Sequence, residues 1–129
     1  MKQEIIFKDD YFEIRYFGDL DIGGFFQTTK ALLNHPSFMK NSKYIVDYSG
    51  LQNIYEFSLS LGELQSYAAL QGKVADRAGK IILARIGLPS QDARMLANLW
   101  VSLCEHYGVD IEAEDFTDKG EAIKWLSSR

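Results

Sequence analysis

The chain has one cysteine, two prolines and two histidines in 129 residues. With Cys104 alone, no internal disulfide can form and no pair of thiolates is present to hold zinc, which points to a reducing cytoplasm. Gly23-Gly24 is a lone glycine pair and the other glycines stand singly, so neither a phosphate loop nor a dinucleotide fingerprint is present. No apolar run approaches the ~20 residues of a membrane span, and Met1 to Asp10 holds no apolar segment of signal-peptide length. Basic clusters are missing too, and the net charge of −4 would on average repel a polyanion such as nucleic acid. These absences argue against metal, nucleotide, nucleic-acid and membrane-spanning classes, and no cofactor is expected.

The remaining composition is ordinary for a globular protein, with 47% hydrophobic and 25% charged residues. A chain of this length is expected to form one domain over residues 1–129, burying roughly two thirds of its unfolded surface.

The stretch from Lys43 to Gly50 reads as the organising strand. Tyr44, Ile45 and Val46 form a continuous apolar run, as suits a strand covered on both faces, and the run stops at Asp47-Tyr48-Ser49-Gly50. In open α/β sheets ligands gather beyond the carboxyl ends of strands, which makes Asp47, Tyr48 and Ser49 a candidate rim. The alternative is that Asp47 and Ser49 simply satisfy backbone amides of a turn.

Before it, Glu4 to Lys8 and Tyr11 to Gly18 are β-rich runs separated by Asp9-Asp10, a break that suits a tight hairpin. Asp19 or Asp21 can cap a helix whose face carries Ile22, Phe25, Phe26, Thr29, Leu32 and Leu33, and which stops before Pro36. After Gly50, a second helix starts at Ser58 or Ser60, with Glu63 in capping-box spacing to Ser60, and runs to Ala78-Gly79. Lys80 to Ile86 is a second central strand. The third helix follows Pro89-Ser90, with Leu96, Leu99, Trp100, Leu103, Cys104 and Tyr107 on one face and Gly108 closing it. Val109 to Ala113 alternates apolar and acidic residues as an edge strand does, with Glu112, Glu114 and Asp115 discouraging edge-to-edge pairing. A last helix begins at Thr117 or Asp118. The order β-β-α-β-α-β-α-β-α implies an α/β fold: a mixed four- to five-stranded sheet, mainly parallel, with an N-terminal hairpin and about four helices.

No catalytic constellation emerges, and the chain is not expected to be an enzyme. Cys104 lies on an apolar helix face, where cysteine behaves as a small hydrophobe, and neither His35 nor His106 has metal-ligand company. Arg85 and Arg94 are the more telling cations. If both point toward the Asp47–Ser49 rim they supply anion-binding donors or partners for Asp47; otherwise Arg94 pairs with Asp92 or caps its helix.

In the order and spacing of Val46-Asp47-Tyr48-Ser49-Gly50-Leu51, Ala93-Arg94-Met95, and Phe116 with Ala122, Trp125 and Leu126, the chain resembles the SpoIIAA-like proteins. These are small bacterial domains related to the anti-sigma-factor antagonist (STAS) and CRAL-TRIO domains. The resemblance implies a STAS-like topology and a non-enzymatic regulatory or protein-interaction role in the cytoplasm, with a protein partner or self-association. The Asp-Ser-Ser-Gly-like phosphoacceptor motif of true antagonists is missing; Tyr55-Glu56-Phe57-Ser58-Leu59-Ser60 stands there, with Ser58 the nearest candidate. The alternative is a carrier or sensor for a small apolar or lipid-like ligand, held between sheet and helices by residues such as Phe25, Phe26 and Trp100.

Overall fold

A computed structural model of the chain describes residues 1–52 and 59–129. Among them, the strands β1 (Lys2–Lys8), β2 (Tyr11–Gly18), β3 (Lys43–Leu51), β4 (Ile81–Ile86) and β5 (Ile111–Phe116) form one sheet in the order β1-β2-β3-β4-β5. β1 runs antiparallel to β2, and every later neighbour is parallel. The helices are α1 (Ile22–Leu33), α2 (Leu61–Lys73), α3 (Ala75–Ala78), α4 (Gln91–His106) and α5 (Lys119–Ser127).

The hairpin closes with Lys8 opposite Tyr11 across Asp9-Asp10. Asp9 takes the left-handed conformation (φ 57°), which a short polar side chain tolerates better than a branched one. Helix starts follow the capping residues. Asp21 receives the Gly23 N–H, Ser60 and Glu63 form a full capping box, Ser90 receives the Ala93 N–H and Asp118 that of Gly120. α4 ends in a Schellman motif: the Gly108 and Val109 N–H groups donate to the Glu105 and Cys104 carbonyls, and Gly108 has φ 89°.

Alternation along the strands divides the core into two layers. Phe12, Ile14, Tyr16, Tyr44, Val46, Ile81 and Leu83 meet α1, α2, α3 and α4 on one face. Tyr11, Ile45, Ile82, Ala84 and Ile86 meet Ala122 and Leu126 of α5 on the other. Glu13 is buried on this second face, with Lys119 of α5 and Arg15 as salt-bridge partners. Burial alone would raise its carboxyl pKa, but the Lys119 hydrogen bond and charge, with Arg15, hold it below the ordinary value.

The structure departs from the sequence reading at several places, the last strand among them, which is Ile111–Phe116 rather than Val109–Ala113. The second helix is two pieces, because Val74 leaves helical geometry (φ −106°, ψ 7°) while its side chain lines an internal cavity. β3 does not stop at Gly50 but pairs with β2 as far as Leu51. Between Arg15–Asp47 and Phe17–Gly50 the register shifts, so that Tyr48-Ser49 opposes Tyr16 alone in a β-bulge. The inward side of α4 carries Leu96, Trp100, Leu103 and Cys104 as read from the sequence, with Ala93 and Ala97 beside them, whereas Leu99 and Tyr107 are exposed. Asp115 is more than a deterrent on an edge strand, since it holds the buried Arg85.

Candidate functional site

Between the sheet and the helices α1, α2 and α4 lies a cavity of about 110 Å³. Its floor is Ile14 and Tyr16 of β2, Tyr44, Val46 and Tyr48 of β3, and Ile81, Leu83 and Arg85 of β4. Phe25, Thr28, Thr29 and Leu32 of α1, Leu64, Tyr67 and Gln71 of α2, and Leu96, Ala97 and Trp100 of α4 close it from above.

An unbroken run of aromatic rings crosses this wall. Tyr48 stacks on Tyr16 with centroids 5.8 Å apart, Tyr16 meets Phe25 edge-on at 5.1 Å, Phe25 stacks on Tyr67 at 5.4 Å, and Tyr67 stacks on Trp100 at 5.0 Å. Burial pushes the Tyr48 hydroxyl up to about 12, with Arg85 nearby lowering it and Asp115 raising it. Burial also lifts Tyr16 and Tyr67 well above the ordinary phenol range. These hydroxyls are neutral across the physiological range.

Most polar groups around the cavity have partners. The Tyr16 hydroxyl donates to Thr28 Oγ1 (2.9 Å), which donates onward to the Gly24 carbonyl (2.9 Å). Gln71 Nε2 donates to Thr29 Oγ1 at 2.6 Å. Arg85 donates from Nε to Asp115 Oδ1 (2.7 Å) and from Nη2 to Asp115 Oδ2 (3.1 Å) and Asn98 Oδ1 (2.6 Å). Arg85 Nη1 and Trp100 Nε1, both buried, have no hydrogen-bond partner among the described residues. A buried donor left unmet costs about 1–3 kcal/mol, and more for a charged group.

The residues singled out from the sequence fall into separate places. Asp47 accepts the Ser49 N–H (2.9 Å) and hydroxyl (2.6 Å), so the pair holds the bulge together. Arg85 and Asp47 emerge on opposite faces of the sheet: Arg85 is the register partner of Val46 and Asp47 that of Ile86, so no pair forms between them. Arg94 makes no ion pair among the described residues, with Asp92 or with any other carboxylate. Ser58 lies outside the described residues.

Phe25 and Trp100 line the cavity, while Phe26 stands behind it against the Tyr67 ring at 5.8 Å. Cys104 is fully buried on the inner face of α4, and burial, followed by Glu105, pushes its thiol up to about 12, so it stays protonated. His35 packs edge-on against Phe12 and accepts the Ser37 N–H at Nδ1.

Sequence reasoning missed Tyr16, Tyr67, Thr28, Thr29 and Gln71 as members of one site. One signal was present: Arg85 interrupts an otherwise continuous apolar strand, and a charge there needs a buried partner, a ligand, or both. Outside this cavity, Tyr48, Ser49, Gly87, Leu88, Pro89 and Thr117 frame a surface cleft beyond the carboxyl ends of β3 and β4. Tyr48 and Leu88 border both spaces. The cleft is at the place a sheet of this kind favours for ligands, but its described lining carries no charged group. No protein-family model, curated protein or solved structure matches the chain.

Proposed function

We propose that this protein is a carrier or sensor that holds a small, largely apolar ligand in the cavity between its sheet and α1, α2 and α4. One observation carries the reading: the cavity is walled by apolar and aromatic side chains, yet two buried nitrogen donors of that wall, Arg85 Nη1 and Trp100 Nε1, have no acceptor among the described residues. Native interiors rarely leave such groups unmet, and ligand pockets combine an apolar lining with a few convergent polar groups. Native mass spectrometry of protein purified from its own cells tests the reading. A co-purifying small mass, lost on mild denaturation, is the expected result; bare protein that also takes up no added apolar compound would count against it.

The arrangement of an N-terminal hairpin, three further parallel strands and helices on both faces also supports a STAS-like, SpoIIAA-like topology as our reading of the fold. Under it, a non-enzymatic regulatory domain acting on a protein partner is a second function. The observation favouring that function is the outer side of α4, where Met95 is 61% and Leu99 39% exposed. Affinity capture with wild type and with Met95→Glu/Leu99→Lys should then recover a partner from the first and lose it from the second; identical recovery would remove this function.

A further inference from the structure

The chemistry of the two unmet donors narrows the ligand class, given the reading of the cavity as a ligand site. Arg85 is 2% exposed and lines the cavity, as does Trp100. A guanidinium and an indole N–H donate and cannot accept, so whatever meets them must present lone pairs. The guanidinium charge is already balanced by Asp115 on its Nε and Nη2 edge, at 2.7 and 3.1 Å. Arg85 is the sole Asp, Glu, Lys, Arg or His among the described lining residues.

An incoming carboxylate would therefore leave one uncompensated negative charge in an apolar enclosure, which is unfavourable. An ammonium would face donors only. A carbonyl oxygen offers two lone pairs, no proton to place and no net charge. We infer that the ligand is a small neutral carbonyl compound whose oxygen accepts from Arg85 Nη1 and Trp100 Nε1 while its hydrocarbon part lies against Val46, Leu83 and Tyr67. Size fits a ring or short chain of about five or six heavy atoms, since a dry protein cavity of about 150 Å³ accepts benzene and this one is about 110 Å³.

The test uses the full-length ¹⁵N-labelled protein with three probes of six heavy atoms each: cyclopentanone, methylcyclopentane and cyclopropanecarboxylate. Trp100 and Trp125 are the two tryptophans, and Trp125 packs on the opposite face of the sheet, so its indole N–H is an internal control. Cyclopentanone should shift the Trp100 indole signal and leave that of Trp125 in place, with a Kd at least tenfold below those of the other two probes. In Trp100→Phe, which keeps an aromatic ring and removes the N–H, the preference for cyclopentanone over methylcyclopentane should fall at least threefold, the unchanged Trp125 signal reporting an intact fold. Equal binding of cyclopentanone and methylcyclopentane would overturn the carbonyl class and leave the cavity as a ligand site. Tighter binding of the carboxylate would overturn the neutrality of the ligand. If no probe moves Trp100 and no mass co-purifies, the inference and the cavity reading fail together.

Discussion

Arg85 and Asp115 are register partners on neighbouring strands, joined by two hydrogen bonds of 2.7 and 3.1 Å that balance a charge buried to 2% exposure. Removing one partner of a buried pair costs about 3–5 kcal/mol, and Asp115 keeps a quarter of its side-chain surface. Asp115→Asn should thus lower stability in urea by about 3 kcal/mol, at the low end of that range. The variant also leaves the guanidinium unbalanced. Its cavity should take cyclopropanecarboxylate in preference to cyclopentanone, the reverse of wild type, as titration of the Trp100 indole signal will show.

The bulge that carries Asp47 and Ser49 depends on Gly50. A Cβ there would sit 2.4 Å from the Tyr16 carbonyl oxygen and 2.9 Å from the Phe17 ring, and the first of these is backbone that cannot swing aside. Gly50→Ala should cost about 1–3 kcal/mol, the range for forcing atoms into a filled space, measured as a drop in the urea midpoint at constant slope. Asp47→Ala, which removes acceptors on an exposed bulge, should cost at most about 1 kcal/mol.

Filling the cavity separates binding from folding. Ala97 lines it from α4, so Ala97→Leu places extra carbon in the space a ligand would occupy. Cavity-filling changes commonly add about 0.5–2 kcal/mol of stability. The expected outcome is a thermal midpoint equal to or above wild type with loss of the co-purifying mass. A variant that loses stability and keeps the ligand would show that the cavity is not where the ligand sits.

On the second face, Glu13 makes acid stability predictable. Its pKa is held below the ordinary 4.5 by Lys119 and Arg15, which outweigh burial. The lowered folded value means its contribution is present above the unfolded value and is lost as pH falls through the folded one. Glu13→Gln should therefore unfold earlier than wild type in urea at pH 7, and the gap should shrink as pH falls below 4.5. A gap that holds constant down to the pH at which the wild type unfolds would contradict the assigned pairing.

The sheet was legible in the sequence because two signals agree there: Tyr44-Ile45-Val46 and Ile81-Ile82-Leu83-Ala84 are continuous apolar runs, and each lies in a strand covered on both faces. Helix starts were legible to within two residues for a local reason, since a cap contacts amides two or three residues away, and the structure selects Asp21 over Asp19, Ser60 over Ser58, Ser90 over Pro89 and Asp118 over Thr117. What escaped was non-local. Asp47 resembles a functional carboxylate until its bulge geometry is known, and Asp115 resembles a surface charge until Arg85 is placed 2.7 Å from it across the strands. The aromatic wall escaped similarly. Tyr16, Tyr48, Tyr67 and Trp100 come from β2, β3, α2 and α4, and no spacing along the chain announces that they meet.

Diffraction from crystals of the wild-type protein soaked in cyclopentanone, at a resolution that shows ordered water, tests the central claim most directly. Density for the ketone is expected between Leu83, Tyr67 and Trp100, with its oxygen within hydrogen-bond distance of Trp100 Nε1 and Arg85 Nη1. A cavity that instead holds only water bridging those two nitrogens, or that has closed on itself, would contradict it.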